Sequence, residues 1–267
     1  MTIFEALALG VLQGLTEFLP VSSSGHLALA EYLLGVRSPG VTFEVFVHFG
    51  TALAVLVYFR ARIVDVVRAV ALRAARREHD RSDATLGLLL LLGTVPAALV
   101  GLVLEGRVEA AFGSPVLVSV LLIVTGVILW LTRRIPEGTR TRGGVRDALL
   151  IGLAQAAAIL PGISRSGSTI SAGLRLGLTR GAAAEFAFLL SLPVILGATA
   201  MSVGDALGAG SREGAAVAVG TLAAFGSALP AIAVLMRVVK AGTFHRFAYY
   251  CWTAGLLALV LSIVRGP

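Results

Sequence analysis

The stretch that decides the fold is GVLQGLTEFLPVSSSGHL, which runs from Gly10 to Leu27 inside a chain that is otherwise largely apolar. It contains a carboxylate, Glu17, and an imidazole, His26. A carboxylate at the centre of a membrane helix costs about 2.5–3.5 kcal/mol on insertion scales. Pro20 removes a backbone donor and ends or kinks the helix, and broken backbone at membrane depth needs protein or trapped water to satisfy it. The stretch therefore predicts a site for polar chemistry inside a membrane.

The composition predicts an all-α integral membrane protein. Of the 267 residues, 57% are hydrophobic and 14% are charged, and the mean hydropathy is +0.91, which excludes a soluble domain. The formal charge of +7 comes from basic residues in a few connections between apolar runs. This is the positive-inside pattern, so we expect no nucleic acid among the partners. The single cysteine, Cys251, excludes an intramolecular disulfide. The first segment has no basic start, so we expect no cleavable signal peptide.

Runs of about 20 mostly apolar residues are long enough to cross a membrane as helices. Two pairs of shorter runs are interrupted by Pro, Gly and Ser, namely 3–19 with 25–35 and 147–161 with 167–178. We interpret each pair as a re-entrant helical hairpin. The six segments predicted to span the membrane are 43–59, 84–104, 115–132, 182–203, 215–236 and 246–264.

The two hairpins belong to an internal repeat within a single polytopic membrane domain, with halves of about 1–140 and 141–267. Each half holds one hairpin and three spans, and an odd number of spans inverts the second half relative to the first. The sequence thus predicts an inverted-topology repeat. A shift of 142 residues aligns identical residue types, which are Gly10 with Gly152, Gln13 with Gln155, Ser22 with Ser164, Ser24 with Ser166, Gly25 with Gly167 and Gly35 with Gly177.

Three basic connections set the predicted orientation. Residues 60–81 hold seven arginines and three acids, residues 133–146 hold five arginines and one acid, and residues 237–246 add Arg and Lys. All three fall on one side of the predicted topology, so we expect that side to be cytoplasmic. The first hairpin then enters from outside and the second from the cytoplasm.

Polar residues in the two hairpins define the predicted site. Gln13 and Glu17 are four residues apart and share one helix face. A carboxylate is also a suitable ligand for Mg²⁺, whose coordination is completed by water and phosphate oxygens. The second hairpin resumes its helix with hydroxyls, free N–H groups and Arg165, a combination typical of a phosphate site. We expect Glu17, His26 and a serine on one side of a phosphate and Arg165 on the other.

The runs QGLTEFLPVSSSGH and PGISRSGSTIS resemble the two signature motifs of the undecaprenyl-diphosphate phosphatase family, also called bacitracin-resistance proteins. The resemblance covers essentially the whole chain in length and spacing. It implies an enzyme of the bacterial plasma (inner) membrane that removes the terminal phosphate of undecaprenyl diphosphate. This reaction regenerates the lipid carrier for peptidoglycan, and bacitracin resistance follows from a reduced amount of target. Because the first hairpin enters from outside, we expect phosphate release on the extracytoplasmic face.

The resemblance assigns catalytic roles to four residues, Glu17, Ser23, His26 and Arg165. Ser23 is the expected nucleophile with His26 as its base, while a phospho-histidine route or direct attack by water stays open. Glu17 is expected to orient His26 or to hold a divalent cation, Mg²⁺ with Ca²⁺ as the alternative. The family's Glu/Gln-xxx-Glu motif falls on Gln13 and Glu17, so this chain carries the glutamine variant. The residues expected to bind substrate are Gln13, Ser22, Ser24, Gly25, Ser164, Ser166, Gly167, Ser168 and Thr169.

Glu44 and Glu185 are interpreted as structural, with a supporting role beside the site as the alternative, and His48 is interpreted as a packed polar contact. The expected partners are the polyprenyl diphosphate substrate, bilayer lipids and, in a homodimer, a second copy of the chain. A transporter or flippase of polyprenyl phosphates is the alternative function, since inverted repeats with broken helices are typical of transporters.

Overall fold

The computed structural model describes residues 1–35, 41–208 and 211–265. Within these ranges the regular elements are helical, apart from one isolated bridge between Arg140 and Leu178. Two 3-10 turns, Thr132–Arg134 and Phe244–Arg246, accompany the α-helices. The α-helices are α1 (Ile3–Phe18), α2 (Ser23–Leu34), α3 (Val41–Tyr58), α4 (Arg60–Ala74), α5 (Arg81–Val103), α6 (Glu105–Phe112), α7 (Pro115–Leu131), α8 (Val145–Ala157), α9 (Arg165–Arg175), α10 (Arg180–Gly208), α11 (Ser211–Lys240) and α12 (Phe247–Arg265).

The prediction of an all-α, multi-pass membrane protein is confirmed. Five of the described helical segments are long and apolar enough to cross a membrane, and the apolar helix Phe43–Tyr58 is shorter. The five segments are Arg81–Val103, Pro115–Arg134, Arg180–Met201, Gly214–Lys240 and Phe244–Arg265.

Both interruptions fall where the sequence predicts them. Helix α1 ends at Phe18, and Leu19 is extended with ψ of 140° because the following residue is Pro20. Helix α2 restarts at Ser23. In the second half the residues 158–164 separate α8 from α9.

Two helices lie in segments that we predicted only as connections. Helix α4 falls in the basic connection 60–81, where Val66 and Ala69 are buried and Val66 lies close to Gly87 of α5. An amphipathic stripe therefore folds this part of the connection against a span. Helix α6 is a short helix in the connection between the predicted spans 84–104 and 115–132.

The first arm of each interrupted pair packs closely on a long helix of the other half. Helix α1 lies on α11, and a Cβ added at Gly10 would come within 2.9 Å of Gly220 Cα. Helix α8 lies on α5, and a Cβ at Gly152 would come within 3.1 Å of Gly93 Cα. Small residues allow this approach of one helix backbone to another. Helix α3 packs against α10 and α11, and α7 packs against α12.

The basic connections meet at one end of the molecule. A cavity of about 510 Å³ between α5 and α10 is lined by Arg62, Arg81 and Arg142. Arg62 donates to Asp83 Oδ1 at 2.6 Å and to Glu185 Oε1 at 2.8 Å. Glu185 therefore lies in an ion pair with Arg62, away from the interruptions, which agrees with its structural interpretation.

At this same end Asp147 fixes the start of α8. Burial by itself would raise the pKa of Asp147, but hydrogen bonds from Arg140 and from the Gly144 N–H outweigh it and lower the pKa below its ordinary value. The Gly144 N–H lies 2.7 Å from Asp147 Oδ2, which caps the helix.

Candidate active site

The first interruption is built around Ser22. Ser22 has φ of 67° and ψ of 92°, a left-handed conformation that is uncommon for a residue with a side chain. Its Oγ accepts hydrogen bonds from Gly25 N at 3.3 Å and from Gly162 N at 3.1 Å. The first bond caps α2, and the second joins the first interruption to the second. A Cβ at Gly25 would lie 3.0 Å from Gly162 Cα, so the two interruptions are in direct contact.

The second interruption turns at Gly162, whose φ is 100°. Thr125 of α7 holds it on both sides, because its Oγ1 donates to Gly162 O at 2.7 Å and accepts from Ser164 N at 3.0 Å. Ser164 then caps α9 by accepting from Gly167 N at 3.1 Å. Arg165 consequently stands at the first position of a helix whose N-terminal end carries partial positive charge.

Glu17 lies at the centre of the polar cluster with 6% of its surface exposed. Its Oε1 accepts a hydrogen bond from Arg165 Nη2 in a buried ion pair. Its Oε2 accepts from Gln13 Nε2 at 2.9 Å and from Ser23 Oγ at 2.5 Å. The Nε2 atom of His48 lies 3.4 Å from the same oxygen. One carboxylate is thus linked to a guanidinium, an amide, a hydroxyl and an imidazole.

The cluster faces a cavity of about 260 Å³. Its lining combines residues of both interruptions with residues of α3, α5, α8 and α10. The polar lining residues are Glu17, Ser22, Ser23, Ser24, Glu44, His48, Gln155, Ser164 and Arg165.

Several predicted substrate-binding residues have partners inside the protein instead of facing this cavity. Ser166 Oγ donates to Leu19 O at 3.3 Å and so ties α9 to the first interruption. Thr169 Oγ1 donates to Arg165 O at 2.8 Å within α9. Ser168 is buried, and Gly25 and Gly167 donate their N–H groups to the caps of their helices.

The expected placement of His26 beside Glu17 and Ser23 is corrected by the structure. His26 Nδ1 lies 2.8 Å from Ser22 O, so this nitrogen carries the proton. His26 Nε2 lies 2.8 Å from the hydroxyl of Tyr250 on α12, which leaves that nitrogen as the acceptor. Both ring nitrogens of His26 therefore have partners other than Ser23 and Glu17. The rotation of α2 about its axis turns His26 toward α12.

His48 occupies the position that was expected of His26, although we predicted it as a packed structural contact. Its Nδ1 lies 2.7 Å from Glu44 O, one helical turn earlier in α3. The neutral ring then has Nε2 free to accept a proton near Glu17. The four-residue spacing of Glu44 and His48 in an apolar helix was the available signal, because polar groups on one face of such a helix favour a site.

The sequence analysis did not predict two further residues that contact the cavity or its interruptions, Thr125 and Gln155. Thr125, in an apolar span, gave no signal, because threonine in a membrane helix usually bonds its own backbone. Gln155 lines the cavity with 2% of its surface exposed. Its alignment with Gln13 in the repeat was a signal that we did not use.

Comparison with known proteins supports the motif resemblance. The sequence model described as bacitracin resistance protein BacA matches residues 6–257. An undecaprenyl-diphosphatase of Desulforapulum autotrophicum is 42% identical, with 99% of this chain and 100% of the relative covered. Proteins of the same name from Desulfosudis oleivorans and Syntrophotalea carbinolica are 44% and 45% identical, covering 97% and 98% of this chain and 98% and 100% of the relatives. With both motifs inside a match of this length, the chain belongs to the bacitracin resistance protein BacA family.

Proposed function

We propose that this protein is an undecaprenyl-diphosphatase, a membrane hydrolase that removes the terminal phosphate of undecaprenyl diphosphate. The observation that carries the proposal is the buried carboxylate of Glu17, which bonds Ser23 on one oxygen and Arg165 on the other at the edge of a cavity. The names of the relatives agree with this chemistry. The product, undecaprenyl phosphate, is the lipid carrier for peptidoglycan, so the activity lowers the amount of bacitracin target.

The cavity suits a diphosphate head group. Arg165 supplies a permanent positive charge, and the N-terminus of α9 adds N–H groups and a favourable dipole. The hydroxyls of Ser24 and Ser164 line the same space. A volume of about 260 Å³ holds the head group but not a long polyprenyl chain, which we place among the membrane helices.

Ser23 is the proposed nucleophile and Glu17 the group that receives its proton. When the diphosphate binds Arg165, Glu17 loses its cationic partner and becomes a better proton acceptor. Ser23 Oγ then attacks the terminal phosphorus, and the bond from that phosphorus to the bridging oxygen breaks. Undecaprenyl phosphate leaves and takes the proton from Glu17. The regenerated Glu17 carboxylate then deprotonates a water that attacks the phosphoserine, which releases inorganic phosphate and restores the Ser23 hydroxyl. His48 is positioned to exchange a proton with Glu17 Oε2. The proposed role of His26 is to hold the first turn of α2.

The donor set also fits a divalent cation, Mg²⁺ or Ca²⁺. Among the described residues there is no group of three or more His, Cys, Asp and Glu side chains that holds a metal alone. Glu17 and the Oε1 atom of Gln13, which is buried and has no hydrogen-bond partner in the described ranges, would hold a cation shared with the substrate. A bound cation would neutralise phosphate charge. We expect a chelator to lower activity and either cation to restore it.

The proposed topology has six spans and two re-entrant hairpins that enter from opposite sides. Cys251 Sγ donates to Pro20 O at 3.5 Å, and Cys251 lies in the part of α12 next to the basic end. The tip of the second hairpin reaches the opposite part of α7, since a Cβ at Gly162 would lie 3.0 Å from Leu122 N. The tips therefore pass each other. This supports the inverted repeat with halves of about 1–140 and 141–267.

We place the protein in the bacterial inner membrane with the basic end in the cytoplasm. The cavity is lined by Phe112, the last residue of α6, and by Ala97 toward the far end of α5 from Arg81. It therefore lies toward the end opposite the basic connections. This supports phosphate release on the extracytoplasmic face.

The test measures phosphate release from polyprenyl diphosphate by the purified protein. We expect a loss of at least about 10²–10³-fold in kcat for Glu17→Ala, Ser23→Ala and Arg165→Ala, the size seen when a single transition-state donor is removed. Arg146→Ala is the matched control, because Arg146 is exposed and lies outside the site. Full turnover in all three site variants would contradict the proposal.

The role of His48 in exchanging a proton with Glu17 is tested by comparing His48→Gln with His26→Gln. We expect the first to slow turnover and shift its pH profile, and the second to leave the pH profile unchanged. The opposite result would return the base to His26.

A lipid flippase is the second candidate, favoured by the oppositely oriented interruptions. It predicts movement of labelled lipid across a vesicle without release of phosphate.

A further inference from the structure

Gln155 is a buried polar residue without a protein partner. It lies on α8, lines the cavity of about 260 Å³ and has 2% of its surface exposed. Neither its Nε2 nor its Oε1 has a hydrogen-bond partner in the described part of the chain. A side-chain amide in a folded protein is normally bonded, and leaving it unpaired destabilises the fold. A ligand that supplies the missing bonds would explain why this position holds a glutamine.

Comparison with Gln13 shows why Gln155 is unpaired. In the first half, Gln13 Nε2 donates to Glu17, the residue four positions later on the same helix face. In the second half, the residue four positions after Gln155 is Ile159, which has no acceptor. The amide of Gln155 is thus left for the contents of the cavity.

The two walls of the cavity differ in polarity. The wall formed by α1, α2, α3 and α9 carries the acid, the serines, His48 and Arg165. In the wall formed by α5, α10 and the end of α8 with the residues that follow, Gln155 is the one polar lining residue of the described ranges. Its neighbours there are Ala97, Ala158, Ile159, Val194, Ile195 and Ala198.

This division separates the two phosphates of a lipid diphosphate. The terminal phosphate belongs beside Ser23 and Arg165, where it is attacked. The other phosphate is esterified to the apolar chain and belongs nearer the apolar wall. We propose that Gln155 binds this lipid-linked phosphate through its amide N–H and so recognises both the substrate and the polyprenyl monophosphate product. The inference rests on the proposed phosphatase function.

The test uses Gln155→Leu, which removes the amide and keeps most of the volume. We expect KM for polyprenyl diphosphate to rise about 10-fold or more, as for a lost hydrogen bond to a charged group, with kcat changed less than about threefold. The inhibition constant of polyprenyl monophosphate should rise by a similar factor. The inhibition constant of inorganic phosphate should stay within about twofold of wild type, because phosphate alone binds at the other wall.

Thermal stability provides an independent test of whether the Gln155 amide is unpaired in the protein without ligand. Because Gln155→Leu removes unpaired polar atoms, we expect its thermal unfolding temperature to equal or exceed that of wild type. Gln13→Leu is the matched variant in the other half. It breaks a bond to Glu17, so its unfolding temperature should fall. Gln155→Asn keeps the amide on a shorter chain and should give an intermediate KM.

The outcomes separate this inference from the proposed function. Unchanged KM and unchanged monophosphate inhibition in Gln155→Leu, with an active wild type, would overturn the role of Gln155 alone. If Gln155→Leu weakens the binding of inorganic phosphate and of polyprenyl monophosphate equally, Gln155 contacts the terminal phosphate instead. That result would also overturn the inference. If wild type releases no phosphate, the proposed function fails. Thermal stabilisation by polyprenyl monophosphate, compared between wild type and Gln155→Leu, then still decides whether Gln155 binds the lipid-linked phosphate.

Discussion

The two helix interruptions use different residues to make similar turns. The first turns at Ser22, whose φ of 67° is unfavourable for a residue with a side chain, whereas the second turns at Gly162, whose φ is 100°. A non-glycine residue in this region costs of the order of 1–3 kcal/mol and persists where the surroundings enforce it. The first interruption carries this strain next to the proposed nucleophile. The second is unstrained and is held from outside by Thr125.

The helices that lead into the two interruptions, α1 and α8, also differ in their polar side chains. Gln13 is followed by Glu17, while Gln155 is followed by Ile159. The first half therefore supplies the proton acceptor, and the second half supplies a guanidinium and a free amide. In the proposed mechanism the two halves therefore divide proton transfer and anion binding between them, and substitutions in each half test this division.

The largest effect is expected at the ion pair that joins the halves. Arg165→Met leaves the Glu17 carboxylate buried without a cation, which should lower the free energy of unfolding by about 3–5 kcal/mol. Adding Glu17→Gln should recover much of this loss without restoring activity, because the neutral amide needs no cation. Thermal unfolding in detergent measures both. A double variant no more stable than Arg165→Met would show that the pair does not join the halves.

The second effect concerns the glycines at the two interruptions. An added Cβ at Gly162 would lie 2.8 Å from Leu121 Cβ, at a positive φ. Overlap and backbone strain together should make Gly162→Ala destabilising by about 2–5 kcal/mol. Gly25→Ala meets Gly162 Cα at 3.0 Å without a positive φ and should cost about 1–3 kcal/mol. Equal costs measured by thermal unfolding would contradict the assigned difference in backbone strain.

A smaller effect is expected at the support of the second interruption. Thr125→Val keeps the shape of the side chain and removes both hydrogen bonds to residues 162 and 164. We expect a loss of about 2 kcal/mol, since two buried backbone groups are left unpaired. Thr125→Ser retains the hydroxyl and is the control. If valine and serine unfold at the same temperature, the second interruption does not depend on α7.

The smallest effect is the difference in stability between two variants of Ser22, which separates backbone strain from hydrogen bonding. Ser22→Ala removes the acceptor of both the Gly25 and the Gly162 N–H groups and keeps the strained backbone, so it should cost about 2 kcal/mol. Ser22→Gly loses the same two hydrogen bonds but relieves the backbone strain, so it should be more stable than Ser22→Ala by about 1 kcal/mol. Alanine and glycine variants of equal stability would show that Ser22 stores no strain.

The sequence predicted those features that depend on local composition. Apolar runs gave the long helices, and Pro20 with the serine run gave the first interruption, because both signals act through the backbone of neighbouring residues. Helix α4 was missed because its arginine content obscured the buried stripe of Val66 and Ala69. The family resemblance was confirmed by the comparisons.

Side-chain directions in the site were less predictable. His26 lies four residues after Ser22, but the docking of α2 against α12 decides that it meets Tyr250. His48 reaches Glu17 because α3 packs against α1. Both contacts depend on rotations about helix axes, which are set by packing between distant segments. The catalytic and substrate-binding roles of the predicted residues remain predictions.

The bond from Gly162 N to Ser22 Oγ has a consequence for biogenesis. Gly162 is synthesised 140 residues after Ser22, and until then the Ser22 hydroxyl lacks this donor. Over the same interval Glu17 lacks Arg165, its ion-pair partner. The two contacts that join Ser22 and Glu17 to the second half therefore form only after residue 165 has been made.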